Sequence, residues 1–115
     1  MKNLKLSICI PSYNRFKNLD NLLSSIVNNH VSNKQIEIIV TDNASKDMTA
    51  SVVNKYKKKI RLRYFRNTYN LGMAKNIIDC TKFANGEFIW ILGDDDLLFK
   101  NSLREILKVI NKNKD

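Results

Sequence analysis

The sequence predicts an α/β protein: a Rossmann-like parallel sheet in the order βαβαβαβα, flanked by helices. Three observations carry this expectation. Short apolar runs of strand length alternate with stretches whose apolar residues recur at three- and four-residue spacing. Alternation of this kind argues for parallel strands joined by right-handed crossovers. The 115 residues suffice for one buried core, and no repeat, linker or low-complexity segment divides them, so 1–115 reads as a single domain.

Lys5-Leu6-Ser7-Ile8-Cys9-Ile10 is the first strand, which Pro11 is expected to stop. Pro11 to Arg15 is a polar turn. Phe16, Leu19, Leu22, Leu23, Ile26 and Val27 form one stripe of an amphipathic helix. Ile36 to Val40 is the second strand, and it runs into Thr41-Asp42-Asn43-Ala44-Ser45-Lys46-Asp47-Met48-Thr49. Ser45 or Asp47 can cap the next helix, whose inward face would hold Met48, Val52, Val53 and Tyr56. Lys57 to Lys59 suits that helix's negative end.

Arg61 to Arg66 alternates partly, as a half-exposed edge strand does. After a turn at Asn67 to Gly72, a helix carries Met73, Ala74, Ile77, Ile78 and Ala84. Asn85-Gly86 ends it, with the glycine suited to a left-handed C-cap. The fourth strand, Glu87 to Leu92, puts Phe88 and Trp90 on one face, read as core. The last helix runs from about Asn101 to Ile110, with Leu103, Ile106, Leu107 and Ile110 facing in. The tail from Asn111 to Asp115 is polar.

The formal net charge of +9 suits an anionic partner but does not choose among phosphates, nucleic acid and an anionic membrane surface. No apolar run approaches the ~20 residues that span a bilayer, and Met1 to Lys5 leads straight into a strand, so neither a spanning helix nor a signal peptide is expected. Cys9 and Cys80 make no zinc pattern with the single His30 and read as buried thiols in a reducing cytoplasm. His30 reads as a surface residue without a role. The basic group Lys57 to Lys59, Arg61, Arg63 and Arg66 reads as a solvated edge, with contact to a membrane surface as the functional alternative.

The chemistry points to the ends of strands one, two and four. The fourth strand delivers Asp94-Asp95-Asp96 to its carboxyl end, where open α/β sheets hold ligands. Oxygen-only ligands suit Mg²⁺ or Mn²⁺, which bridge carboxylates to substrate phosphates; the alternative is a solvated acidic turn before a helix. If strand order reverses between strands one and four, the triplet lies beside Tyr13 and Asn14, with Asp42 one strand away. An aromatic, a lone carboxylate and a carboxylate cluster could stack a base, accept its ring N–H and hold a metal diphosphate. No G-x-G-x-x-G, G-x-x-x-x-G-K-[ST] or G-x-S-x-G occurs. The turns after strands one and three hold no acid that could accept a phosphoryl group.

"LSICIPSYNR", "IEIIVTDNASKDMT", "NLGMAKN" and "FIWILGDDDLL" resemble the four ordered motifs of the amino half of glycosyltransferase family 2, with the GT-A fold. The resemblance covers nearly the whole chain. It implies that Pro11 shapes the first loop, Tyr13 flanks the nucleobase with Asn14 beside it, and Asp42 accepts the N–H of uracil or another base. Asn43 and Ser45 belong to the Asp42 loop, and Asp47 and Thr49 start the next helix. Asn70, Gly72 and Asn76 match the third motif, which approaches the donor. Lys75, where the family often has arginine, could approach the phosphates. The acidic motif would bind ribose and a Mg or Mn cation. Gly93 stands where many members have the first aspartate. Aligned on the strand, Asp94 is the ribose contact and Asp95 the metal ligand; aligned as D-x-D, the pair is Asp94 and Asp96.

The resemblance thus implies a metal-dependent, inverting transferase in cell-surface polysaccharide or glycolipid synthesis, in the cytoplasm or at the inner face of the membrane. A UDP-sugar is the favoured donor, and the acceptor is a glycan or lipid-linked sugar. The family's fold needs about twice this length. This chain therefore reads as the nucleotide-binding half, with the general base expected beyond residue 115; Asp115 and Glu105 do not suit that task. A nucleotide-binding domain without transferase activity is the alternative. A basic nucleic-acid-binding domain is more remote: no binding motif supports it, and the acidic cluster opposes it.

Overall fold

The computed structural model describes residues 4–29 and 34–112; His30 and Asp115 lie outside them. The elements run β1 (Leu6–Ser12), α1 (Phe16–Val27), β2 (Ile36–Asp42), α2 (Thr49–Tyr56), β3 (Leu62–Arg66), α3 (Met73–Lys82), β4 (Phe88–Ile91) and α4 (Ser102–Lys112). The four strands form one sheet in the order β3-β2-β1-β4, and every pairing is parallel. Strand order therefore reverses at β1, whose neighbours are β2 and β4, as the expected switch point requires.

The main core lies on one face. Leu6, Ile8 and Ile10 of β1 and Ile36, Ile38 and Val40 of β2 alternate inward against α1, α2 and α4. The α1 stripe Leu19, Leu22, Leu23 and Ile26 is fully buried there, as its spacing predicts. The crossover from β3 to β4 passes back over β2 and β1, so right-handedness places α3 on the opposite face. The apolar cluster on that face is small, with Cys9, Ile39 and Cys80 at its centre. Both cysteines are free and buried. A bond to Cys80 and burial push the Cys9 thiol up.

Several expectations change. Pro11 does not end β1; it pairs opposite Thr41 within the strand. β4 pairs with β1 only as far as Cys9, so the side on which Pro11 lacks an N–H has no strand to serve. Met48 lies outside the α2 core and is exposed. On α3 the buried pair is Asn76 and Cys80, whereas Met73 and Ile78 are exposed. Hydrogen bonds from the Asn76 Nδ2 to the Thr41 carbonyl (3.0 Å) and from the Cys80 Sγ to the Ile39 carbonyl (3.5 Å) set this rotation. Trp90 packs on the core, but Phe88 is 40 % exposed, because β4 is an edge strand. Gly86 is no left-handed cap: the positive-φ glycine is Gly72. A Cβ at Gly86 would meet the Ser7 nitrogen at 2.8 Å, so this position serves close backbone approach.

That approach belongs to a polar cluster on the α3 face. Glu37 is 1 % exposed. Its carboxylate accepts from the Ser7 hydroxyl (2.6 Å), the Asn85 N–H (2.7 Å) and Arg63 Nη2 (3.0 Å), while the Gly86 N–H donates to the Ser7 Oγ (2.8 Å). Arg63 and Arg66 are thus not part of a free basic edge: Arg63 is paired with Glu37, and Arg66 lies 3.9 Å from Asp42. Lys57 to Lys59 are exposed. No helix among the described residues is long and apolar enough to cross a membrane.

Burial works against the Glu37 charge, but Ser7, Asn85 and Arg63 outweigh it and hold its carboxyl below the usual value of 4.5. A depressed carboxylate stabilises the fold above its unfolded pKa, and that stability is lost as pH falls through the folded value. Glu37→Gln should therefore cost about 3 kcal/mol at pH 7. In denaturant titrations from pH 7 to pH 3 the difference should shrink on the acid side. A difference that stays constant with pH would remove the charge from the explanation.

Candidate functional site

Beyond Cys9 the β4 side of β1 is open. A cavity of about 480 Å³ lies there, bounded by the end of β1, the start of α3 and the residues that follow β4. Pro11, Ser12, Tyr13 and Arg15 line it from the first loop. Asn43, Asn70 and Gly72 line it from the loops after β2 and β3, and Asn76 with the apolar Met73 and Ile77 from α3. Ile91, Leu92, Gly93 and Asp94 complete it from β4 and beyond.

Asp94 is the buried member of the acidic triplet. The Ser12 hydroxyl donates to its Oδ2 at 2.9 Å. Burial pushes the Asp94 carboxyl up, against the pull of Ser12 and Arg15. Asp95 and Asp96 are exposed and stand outside the lining. The Gly93 N–H donates to Asp96 Oδ2 at 2.8 Å, which closes the acidic turn. A Cβ on residue 93 would lie 3.0 Å from Asp95 Oδ1 and 3.4 Å from Asp96 Oδ2, so glycine here makes room for the two carboxylates. The turn does not cap α4, which begins at Ser102.

Asparagine amides tie the loops together. Asn43 Oδ1 accepts from Asn67 Nδ2 (3.0 Å) and the Leu71 N–H (2.9 Å), and its Nδ2 donates to the Gly72 carbonyl (3.1 Å). Gly72 has φ +93° and precedes α3, and its N–H donates to Asn70 Oδ1 at 2.8 Å. The Asn14 N–H donates to Ser45 Oγ, and the Lys46 N–H donates to Asn14 Oδ1, each at 2.8 Å. Asp47 rather than Ser45 serves the start of α2, accepting from the Thr49 N–H at 3.0 Å.

Of the residues singled out in the sequence, Pro11, Tyr13, Asn70, Gly72, Asn76 and Asp94 meet at this cavity. Asn14 fastens two loops instead. Asp42 is buried off the lining, with Tyr64 Oη donating to its Oδ2 at 2.5 Å and the Ser45 N–H to its Oδ1 at 2.8 Å. Burial and that bond push the Tyr64 phenol well up. The Lys75 ammonium is held by Asp79 at 2.7 Å and does not line the cavity. Sequence reasoning missed Ser12, Arg15 and the apolar wall of Met73, Ile77 and Ile91. None of these carries a signal until the topology brings the loops together.

The profile of Glycosyl transferase family 2 matches residues 7–115. The chain belongs to this family. Abequosyltransferase RfbV of Salmonella typhimurium is 42% identical over 100 residues, covering 85% of this chain and 30% of the relative. A GalNAc(5)-diNAcBac-PP-undecaprenol beta-1,3-glucosyltransferase of Campylobacter jejuni is 38% identical, over 94% of this chain and 35% of its own length. The crystal structure of S. aureus TarS 1-349 in complex with UDP-GlcNAc superposes with a TM-score of 0.89 at 30% identity, covering 95% of this chain and 32% of that one. The chain thus spans about a third of the length of these relatives. The superposition makes the described sheet and helices the amino half of the GT-A fold.

In this family member, Asp94 Oδ1 and Asp95 Oδ2 lie 3.9 and 3.6 Å from one guanidinium nitrogen, Arg15 Nη1. No three His, Cys, Asp or Glu side chains among the described residues form a metal-holding group. A carboxylate pair that already faces one cation suits a Mg²⁺ or Mn²⁺ ion that keeps waters and takes its other ligands from a substrate phosphate.

Asn43→Ala should loosen the third-motif loop without disturbing the sheet. Amide exchange at residues 67–72 should speed up, with a stability loss of about 2 kcal/mol. Unchanged protection of the Leu71 N–H would show that the loop is held by something else.

Proposed function

We propose that the chain is the donor-binding part of a glycosyltransferase that moves a sugar from a nucleoside diphosphate to an acceptor hydroxyl. The observation that carries this reading is the cavity at the β1–β4 switch point. Its lining joins a buried carboxylate, Asp94, to the buried amide of Asn76, whose Oδ1 has no hydrogen-bond partner among the described residues. TarS, a relative similar over nearly all of this chain, is recorded with UDP and with UDP-GlcNAc, which favours a UDP-sugar. The poly(ribitol-phosphate) and the PP-undecaprenol in two relatives' names support a polymeric or lipid-linked acceptor.

Each group then has a task. Tyr13 offers a face to the base, and the apolar side chains of Ile77 and Ile91 exclude water from the cavity wall. Asp94, fixed by Ser12, accepts from ribose hydroxyls. Asp95, with Asp94 or Asp96 beside it, would hold a Mg or Mn ion. That ion supplies charge neutralisation for the departing diphosphate. Asp42, buried off the lining and accepting from Tyr64 and Ser45, reaches a base N–H only if its loop shifts. Lys75 reaches phosphate only by leaving Asp79. Asp94 is the one carboxylate on the described lining, and its role toward the donor leaves the acceptor's proton to a base outside the described residues.

Calorimetry with UDP, GDP, CDP and TDP, each with and without Mn²⁺, tests this. UDP should bind in a metal-dependent way, and Asp94→Asn should weaken it by about 10- to 100-fold through loss of a charge-assisted bond. If no nucleotide binds in any metal, the donor-site reading fails.

A further inference from the structure

Arg15 has no role in the reading above, yet it stands at its centre. Its backbone is anchored: it occupies the N-cap position of α1, and its carbonyl accepts from the Leu19 N–H at 2.9 Å. Its tip is held loosely. The 3.6 and 3.9 Å separations from Asp95 and Asp94 are ion-pair contacts, longer than hydrogen bonds, and the side chain is 53 % exposed. Arg15 also lines the cavity.

Of the carboxylates it faces, Asp95 is assigned to the metal, and Asp94 lies beside it. A guanidinium and a divalent cation repel, so a metal binds Asp95 more weakly while Arg15 faces it. A second anion must be present before Arg15 gains by letting go. A nucleoside diphosphate brings that anion, and guanidinium matches phosphate oxygens with paired N–H donors.

We propose that Arg15 is the resident counter-cation of the acidic corner: without donor it competes with a divalent metal for Asp94 and Asp95, and it turns to the diphosphate when donor and metal arrive together. The proposal rests on the donor-site reading. Metal alone then binds weakly, metal and nucleotide strengthen each other, and the coupling is reciprocal. Arg15 also offsets repulsion between the adjacent carboxylates of Asp94 and Asp95.

The experiment titrates Mn²⁺ alone, and then UDP at saturating Mn²⁺, into wild type, Arg15→Gln and Arg15→Lys. Thermal melting verifies that each variant folds. Arg15→Gln should bind Mn²⁺ alone about fivefold more tightly and UDP with Mn²⁺ about tenfold more weakly, opposite shifts that follow from removing one competitor and one phosphate ligand. Arg15→Lys keeps the charge, so its Mn²⁺ affinity should stay near wild type, with UDP affinity between the other two. A purely structural role for Arg15 predicts that both affinities fall together, and that result overturns the proposal. So does an unchanged Mn²⁺ affinity in Arg15→Gln, even where wild type binds UDP and the donor-site reading stands. Wild type that binds no UDP removes the donor-site reading, and the proposal with it.

Discussion

Strand β1 pairs with β2 through Ser12 but with β4 only as far as Cys9, and the overhang of Ile10, Pro11 and Ser12 shapes the rest of the site. Had β4 continued in register, its next residues would have closed the space beside Pro11. Instead the Leu92 N–H makes a last bond to the Cys9 carbonyl at 2.9 Å, and the chain turns at Gly93. Asp94 then folds back onto Ser12, the final residue of the overhang. Proline suits this stretch because the missing N–H faces the side that has no strand. The reversal of strand order at β1 makes a crevice available, and the unequal strand lengths give it depth.

The walls of the crevice hold one another through polar groups rather than apolar packing. The α3 face has a small apolar cluster, so α3 is positioned by the Asn76 and Cys80 bonds to β2 carbonyls and by the Glu37 cluster at its far end. The Asn43 amide ties the β3–α3 loop to the end of β2, and Asn14 and Ser45 tie the first loop to the second. Directional bonds of this kind fix loop geometry more narrowly than apolar contact does. Much of the positive charge lies elsewhere: Lys57 to Lys59 are exposed, Arg63 is paired with Glu37 and Arg66 lies near Asp42, which leaves Arg15 as the one basic side chain on the described lining.

The sheet and its helices were legible because periodicity records burial. The α1 stripe is the clearest case, and strands β1 to β3 needed only their ends moved. The reading failed where burial departs from hydrophobicity. Met73 and Ile78 look like a core stripe, but α3 turns Asn76 and Cys80 inward for their hydrogen bonds. Phe88 looks like core, but an edge strand leaves it half covered. In the site, motif resemblance singled out Tyr13, Asn76 and Asp94, which line the cavity. It could not show that Asp42 is engaged by Tyr64, or that Arg15 meets Asp94 and Asp95 some eighty residues on. An arginine in a polar turn reads as solvated until the topology supplies its partner.

Asn76 links the packing of α3 to the lining of the cavity. Its Nδ2 donates to the Thr41 carbonyl, which fixes the amide's orientation, since a flip would set oxygen against oxygen. Oδ1 is then a buried acceptor without a partner among the described residues, on a residue that is 3 % exposed and lines the cavity. An acceptor left in that state destabilises the protein by about 1–3 kcal/mol. A ligand N–H or O–H, or a water ordered with it, relieves that cost on binding. The same bond that orients α3 on the sheet therefore prepares the cavity to accept a hydrogen-bond donor. Fold and site meet in one side chain, because the rotation that buries Asn76 also leaves its oxygen unpaired among the described residues.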